Sequence, residues 1–496
     1  MGGTTGQEAE EATATPDPAG STPATTPPDH RTTATPDAAG SGAARRALRS
    51  PTFRRVLLGA FASNVGTWMH NVVLGAIAYD LTESSSFVGL MVFAQLGPML
   101  LLSTVGGVLA DRFDRTRLLV TIVLSQLLLS LVLAVVTAAD RPDRLALLGV
   151  TFAIGIGQAL YAPAFTALLP ELVAKEDIAG AVSLNSAQMN TARVVGPVIG
   201  AFLYSAVGAS TVFVANASSY LFVVLAVGRV RLPRAHRDGT ASRGLRALGD
   251  GLRAARSIPV VARCLVVITL YSLISLPFVG QFPVLAERNL DIGTKSTAYG
   301  VLYACFGVGA VLGALSIGTV LSRQPKSAIV RWALVGFAVT LAVLALLRSP
   351  APAYPVVTVV GFTYLAVVTA LMTMVQEQLD NRIRGRVMAL WIMGWGGTVP
   401  IGNLLAGPLI EATSITAVLL GGAAFAVFLA AYVRPAPAAA ADPVTVDRAT
   451  VDPATVAPTP AGPVTTDHGT TDHDTTDHGT TDRGQVAPVP CPCPGR

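Results

Sequence analysis

Twelve apolar stretches divide the chain, near residues 56–80, 86–110, 118–139, 145–169, 181–206, 210–228, 264–286, 298–321, 329–347, 353–376, 387–410 and 413–433. Each is long enough to cross roughly 30 Å of hydrocarbon as a helix. Inside lipid every backbone N–H and C=O must find its partner within the chain, which leaves only helices or a closed barrel. Barrel strands alternate in polarity and are about half this length. The expectation is an all-α polytopic membrane protein with twelve transmembrane helices in two six-helix halves. Only 13% of the residues are charged, against about 25% in a soluble domain, so a water-soluble enzyme is a poor fit.

Charge then orients the spans. Residues 1–43 hold six Asp/Glu and one Arg, and residues 435–496 hold eight Asp and three Arg, so each tail carries −5. Both are rich in Thr, Pro, Ala and Gly and bury little apolar surface, so both read as disordered tails. The C-terminal tail repeats a Thr-Thr-Asp-His-Gly unit through His468, His473 and His478, which reads as solvated low-complexity sequence. The whole chain is +5, so residues 44–434 carry +15. Alternate loops hold 25 Lys and Arg on one side and five on the other. The positive side faces the cytoplasm, which places both termini there and makes the excess charge a matter of topology and anionic lipid. No nucleic-acid role is expected. The first half runs over 44–228, an Arg-rich cytoplasmic linker over 229–263 and the second half over 264–434. Within the linker, Leu245, Leu248, Leu252 and Ala255 recur at helical spacing among arginines and predict an amphipathic helix.

The loop after the second span reads Gly106-Gly107-Val-Leu-Ala-Asp111-Arg112-Phe-Asp114-Arg115-Thr-Arg117. A carboxylate beside several guanidiniums at a helix mouth suits a clamp that grips a neighbouring helix end and releases it. This loop resembles the motif between helices two and three of the major facilitator superfamily, with Asp114 where that family usually has Gly. Three further stretches narrow the resemblance: Asn64 to Asn71 in the first span, Pro163 to Val173 at the inner mouth of the fourth, and Arg384-Gly385-Arg386 opening the eleventh. Together they are similar to the branch that includes the bacterial enterobactin exporter and transmembrane secretion effector proteins. That resemblance implies two halves rocking about a central cavity, with Gly107, Asp111, Arg112, Arg115 and Arg117 as the gating motif. Gly196, Pro197 and Gly200 resemble a shortened antiporter motif of exporters. With Pro277 in the seventh span and Pro400 in the eleventh, they mark helices expected to flex.

Polar groups inside hydrocarbon are costly and tend to serve function. Arg193 is the one charged residue far from a mouth, about 20 Å into the fifth span at 1.5 Å per residue. In the first span Asn64, Thr67, Trp68, Asn71 and Gly75 form a stripe at three- and four-residue spacing, expected to face the cavity. His70 borders the stripe. Its reference pKa near neutrality makes it a proton-carrier candidate, as is Asp80 at the outer mouth. Further cavity candidates are Gln95, Gln158, Tyr161, Asn185, Gln188, Asn216, Tyr271, Gln281 and Tyr303. Trp391 and Trp395 lie one turn apart, where they could stack on an aromatic ligand. Each of these is as readily interhelical glue as ligand contact.

The segment Gly293-Thr-Lys-Ser296 lacks the Gly-Lys pair of a P-loop. No cofactor, metal site or enzymatic triad is expected, so transport would draw on an ion or substrate gradient, with protons as the coupling ion. The expected activity is export of a small organic molecule (a siderophore, antibiotic or other drug-like compound) by a monomer in the cell membrane. An importer of the same fold, or a non-transporting sensor or scaffold, remains open at this point.

Overall fold

The computed structural model describes residues 36–100, 102, 109, 113–230 and 245–433, and among them every regular element is a helix. Described helix falls within each of the twelve expected segments. The second, which begins at Ser85, is described only in part. Among the described residues eight helical runs are individually long and apolar enough to cross a membrane. Their outward faces stay apolar: Leu145, Val135 and Trp332 are 78%, 73% and 75% exposed. A fully apolar surface of this kind is stable against lipid and not against water. The protein is thus a multi-pass membrane protein. A second unit, Pro437–Arg496, lies outside the described residues.

Caps and breaks set the span boundaries. Ser50 caps the first span, Pro51–Thr82, by accepting from the Phe53 N–H at 3.3 Å, with Pro51 placed where its missing N–H costs nothing. Asp114 caps the third span, Arg115–Ala138, through the Arg117 N–H at 2.9 Å. Asp143 caps the fourth, Arg144–Leu168, in the same way. The departure from Gly at position 114 therefore serves the helix start. The fifth and sixth spans form one helical run of 50 residues, Ile178–Val227, which at 1.5 Å per residue would measure about 75 Å. Gly208, with φ 82° and ψ 174°, breaks it in two. Only glycine adopts that conformation freely.

The seventh span is assembled from pieces: Pro259–Leu270, a π-helical turn over Tyr271–Ser275, Pro277–Gly280 and Phe282–Leu290. The eleventh is built likewise from Asn381–Ile392, a π turn over Met393–Gly397 and Thr398–Ala412. A π turn thus precedes each of Pro277 and Pro400. The run from Gly196 through Pro197 to Gly200 keeps helical dihedrals, and a break in the same helix lies at Gly208. A Cβ on Gly196 would stand 2.5 Å from Trp68 Cβ, and one on Gly200 would stand 2.7 Å from Met69 Cα. These glycines bring the fifth span against the first. In the second half, the eighth span (Thr297–Gly318) and the tenth (Pro350–Glu377) meet the same way at Gly309, Gly313 and Gly361.

One segment differs from expectation. A helix over Pro36–Arg49 begins inside the stretch read as tail. Ala43 and Ala47 are buried, and Gly180 accepts the Ala43 backbone at its own Cα. Small residues on both sides allow that contact where bulkier ones would not. The linker does contain a helix, Leu245–Ser257, and its Gly251 rests on the Arg386 backbone at the start of the eleventh span.

Candidate functional site

The two halves meet along a seam that differs from end to end. The terminal end carries residues 44–55, 113–117 and 171–177; the distal end carries residues 79–86, 287–296 and 411–416.

Along the first span Asn64, Thr67, Trp68, Asn71 and Gly75 are half-buried, while Gly66, Met69, His70, Val72, Val73 and Leu74 between them are buried. Asn64, Thr67, Trp68 and Asn71 find partners within the first half. Arg193 lies over Trp68, with its guanidinium carbon 4.9 Å from the ring centroid, and over Trp395 of the eleventh span at 5.4 Å. Tyr364 of the tenth span is close enough to interact with both Arg193 and Trp395. Around this centre Asn64 donates to Gln188 at 3.1 Å, Gln188 donates to Asn185 at 3.0 Å, and Gln95 donates to Asn71 at 2.6 Å. Gly75 closes the stripe distally, its Cβ position 3.4 Å from Pro283.

Other candidates lie elsewhere. His70 is 1% exposed and faces into the first half, edge-on to Phe213 at 4.9 Å, with its Nδ1 3.5 Å from the Asn216 amide. Asn216 also donates to Ser130 at 3.3 Å and is 1% exposed. Tyr220 of the sixth span gathers Thr67, Asn216 and Gln158, and Tyr161 stacks on Phe165 at 5.4 Å. His70 and Asn216 are therefore placed in the interior of the first half rather than on the cavity wall, because the first-span helix turns His70 away from the stripe. Tyr271 packs edge-on to Phe337 and is fully buried, and Trp391 is 2% exposed. Of the expected tryptophan pair, Trp395 in the π turn lies beside Arg193, while Trp391 in the preceding helix is buried. Tyr303 joins an aromatic cluster with Phe282 and Tyr299. Gln281 is buried and donates to the Ser85 carbonyl at 3.2 Å, tying the seventh span to the second.

The distal end is laced by polar contacts between halves. Asp80 accepts from Tyr204 at 2.5 Å and from Thr294, and its carboxylate lies 3.5 Å from Lys295. Thr294 also faces Glu287 at 2.8 Å. Arg288 donates to the Tyr79 hydroxyl at 3.0 Å and to the Glu83 carbonyl at 2.9 Å. Glu411 accepts from Ser84 and Ser86 at 2.5 and 2.6 Å, and from the Ser86 N–H at 3.0 Å. Those serine bonds hold the Glu411 carboxyl below the usual carboxylate range. Sequence reasoning found Asp80 but missed Tyr204, Glu287, Thr294 and Glu411. The available signal was carboxylates at span ends facing polar loops of the opposite half.

At the terminal end, among the described residues, Arg115, Arg46 and Ser50 each bond to partners of their own half. Arg115 donates to the Glu171 carboxylate and to the Ala167 carbonyl at 3.2 Å. Arg46 pairs with Asp177 at 2.7 Å, and Ser50 donates to the Leu172 carbonyl at 3.2 Å. Arg115 thus grips the end of the fourth span, one half of the expected clamp. Arg117 is held at the capped helix start by its N–H. Gly107, Asp111 and Arg112 lie outside the described residues.

Comparison with known proteins follows the same lines. A sequence family described as "transmembrane secretion effector" matches residues 43–465. The staphyloferrin A transporter of Staphylococcus aureus is 24% identical over 353 residues, 70% of this chain and 86% of that protein. The enterobactin exporter of Escherichia coli is 26% identical over 344 residues, 69% and 81% of the two chains. Among solved structures, a variant of the nucleoside transporter NupG superposes with a TM-score of 0.63 at 14% identity, covering 77% of this chain and 98% of that one. A bacterial homologue of the lysosomal transporter Spinster, in an inward-facing and unoccupied conformation, superposes with a TM-score of 0.56 at 16% identity, covering 77% and 94%. At such identities the solved structures speak to the fold alone.

Proposed function

Because the chain belongs to the transmembrane secretion effector family of the major facilitator superfamily, and so to membrane transporters, we propose that it exports a small organic molecule across the cell membrane by alternating access. The observation that carries this reading is the asymmetry of the seam. Cross-half polar bonds lace the distal end, the polar stripe lies at mid-depth, and among the described residues Arg115, Arg46 and Ser50 at the terminal end bond to partners of their own half. A cavity shut at one end and flanked by two rockable halves is what such a cycle needs. The charge bias of the loops supports a cytoplasmic terminal end, so the closed end is the outer one and cargo would load from inside. The relatives named as an enterobactin exporter and a staphyloferrin A transporter favour siderophore-like cargo over other small molecules.

Energy would come from a proton gradient. One charge crossing 100 mV supplies about 2.3 kcal/mol, roughly fiftyfold accumulation when 1.4 kcal/mol is tenfold. Asp80 is the coupling candidate that the distal contacts favour, because it joins Tyr204 of one half to Thr294 and Lys295 of the other. His70 is the weaker one, since it faces away from the seam. Everted membrane vesicles test the direction: energised uptake of a candidate siderophore that collapses with an uncoupler is expected. Uptake only by right-side-out vesicles would instead establish import.

A further inference from the structure

Arg193 presents an unmet demand. Among the described residues its guanidinium makes no ion pair and no hydrogen bond, and its Nε–H is buried without a partner. One turn earlier, Asn190 is spent on the Ser186 carbonyl at 3.0 Å. A cation at mid-membrane depth is costly unless something offsets it. Trp68 and Trp395 do so in part, since each indole face over a guanidinium contributes on the order of 0.5–2 kcal/mol. The rings engage the charge but supply no oxygen acceptor, so among the described residues the guanidinium N–H donors are left unserved. Arg193, Trp68 and Trp395 are all half-buried and come from both halves, so the guanidinium borders the space between them.

The neighbouring side chains shape the same preference. Asn64, Asn71, Gln95 and Gln188 satisfy one another as pairs, so none needs to turn towards Arg193. Described carboxylates lie at the two ends of the seam, Asp80, Glu287 and Glu411 at the distal one and Glu171 and Asp177 at the terminal one, each with partners other than Arg193. What fits a planar fork of unspent N–H donors flanked by indoles is a planar oxyanion on an organic body, with the anion in the guanidinium plane and the body against the rings.

We propose that Arg193, with Trp68 and Trp395, is the docking point for the carboxylate of an organic anion. This deepens the export reading by assigning its cargo a chemical class, and it rests on that reading only in taking the bound anion to be cargo. The cage spans both halves, Trp68 and Arg193 from the first and Trp395 from the second. A bound anion would therefore alter the one cation that touches both sides at mid-seam.

The full-length protein in detergent tests this with 4-methylbenzoate as probe and its neutral isostere 4-methylbenzamide as control. Binding is read by tryptophan fluorescence and by thermal shift. The carboxylate is expected to bind saturably and at least tenfold more tightly than the amide. Arg193→Gln should abolish that preference, and Arg193→Lys should weaken it at least fivefold, because an ammonium neither stacks nor forks. Trp395→Leu, which leaves the charge in place, keeps the test available if the Arg193 variants fold poorly. It should weaken the carboxylate several-fold and move the amide less. Equal binding of carboxylate and amide, no saturable carboxylate binding, or a carboxylate preference that survives Arg193→Gln in folded protein would overturn the proposal. Uncoupler-sensitive flux in everted vesicles alongside any of those results would leave export standing and remove only the anion site.

Discussion

The two ends of the seam contrast in what their polar groups hold together. At the distal end Asp80, Arg288 and Glu411 reach from one half to the other. At the terminal end Arg115 and Arg46 brace the first half against itself. The chemistry is similar, a few charge-assisted hydrogen bonds in each place. The difference lies in whether the partners belong to bodies that can separate. Bonds across the seam set which end is open. Bonds within a half make it move as a unit. A cycle that closes one end while opening the other needs both kinds.

The largest effect should come from breaking the distal tie at its most shared group. Asp80→Ala removes the cross-half acceptor of Thr294, which keeps Glu287 within its own half, and leaves Tyr204 without its partner. A charge-assisted hydrogen bond contributes about 1.5–3 kcal/mol, so the closed state should lose about 2 kcal/mol, roughly thirtyfold in the equilibrium at 1.4 kcal/mol per decade. A cysteine at Gly75→Cys, beneath the tie, reports the outcome in a background without the four native cysteines. Labelling by a membrane-impermeant thiol reagent from the distal side should rise steeply. Unchanged labelling would mean that the distal end is held by packing alone.

The terminal brace should matter less, and differently. Glu171→Gln removes the charge from the Arg115 contact. A loss of about 1–2 kcal/mol, roughly a factor of 5–30 in an equilibrium, should slow transport without raising distal labelling at position 75. Increased labelling there would show that the two ends are not separable as argued. Gly208→Ala tests the backbone alone. Nothing lies within 4 Å of the new methyl, so only the φ of 82° is strained. The cost should be about 1–3 kcal/mol of stability, seen as a lower melting temperature and with no bias between the ends.

Much of this was legible in the residues. Long apolar runs can satisfy their backbone in lipid only as helices, and the residues from Asn64 to Gly75 share one face because a helix repeats every 3.6 residues. What stayed hidden depends on events that periodicity does not encode. Trp395 falls in the π turn at Met393–Gly397 and meets Arg193, while Trp391 is buried. His70 sits one position outside the stripe, enough to turn it towards Phe213. The partners of Asp80 come from residues more than a hundred positions away, on loops whose docking only the assembled halves determine.

The smallest effect, and the finest probe of the contrast, is the pH response of Glu411. Its carboxyl is held below the ordinary range by Ser84 and Ser86, bonds that exist only while the distal end is closed. A group whose pKa is lowered in one state stabilises that state above its unperturbed pKa and ceases to do so as pH falls through the lowered value. Distal labelling at position 75 should therefore rise modestly on the acid side of the ordinary glutamate range and stay flat between pH 6 and 8, where Glu411 is ionised in both states. Glu411→Gln should raise the neutral-pH labelling slightly and flatten the acid limb. If the acid limb persists unchanged in Glu411→Gln, another carboxylate sets it. Asp80 and Glu287, on either side of the Thr294 hydroxyl, are then the groups to vary next.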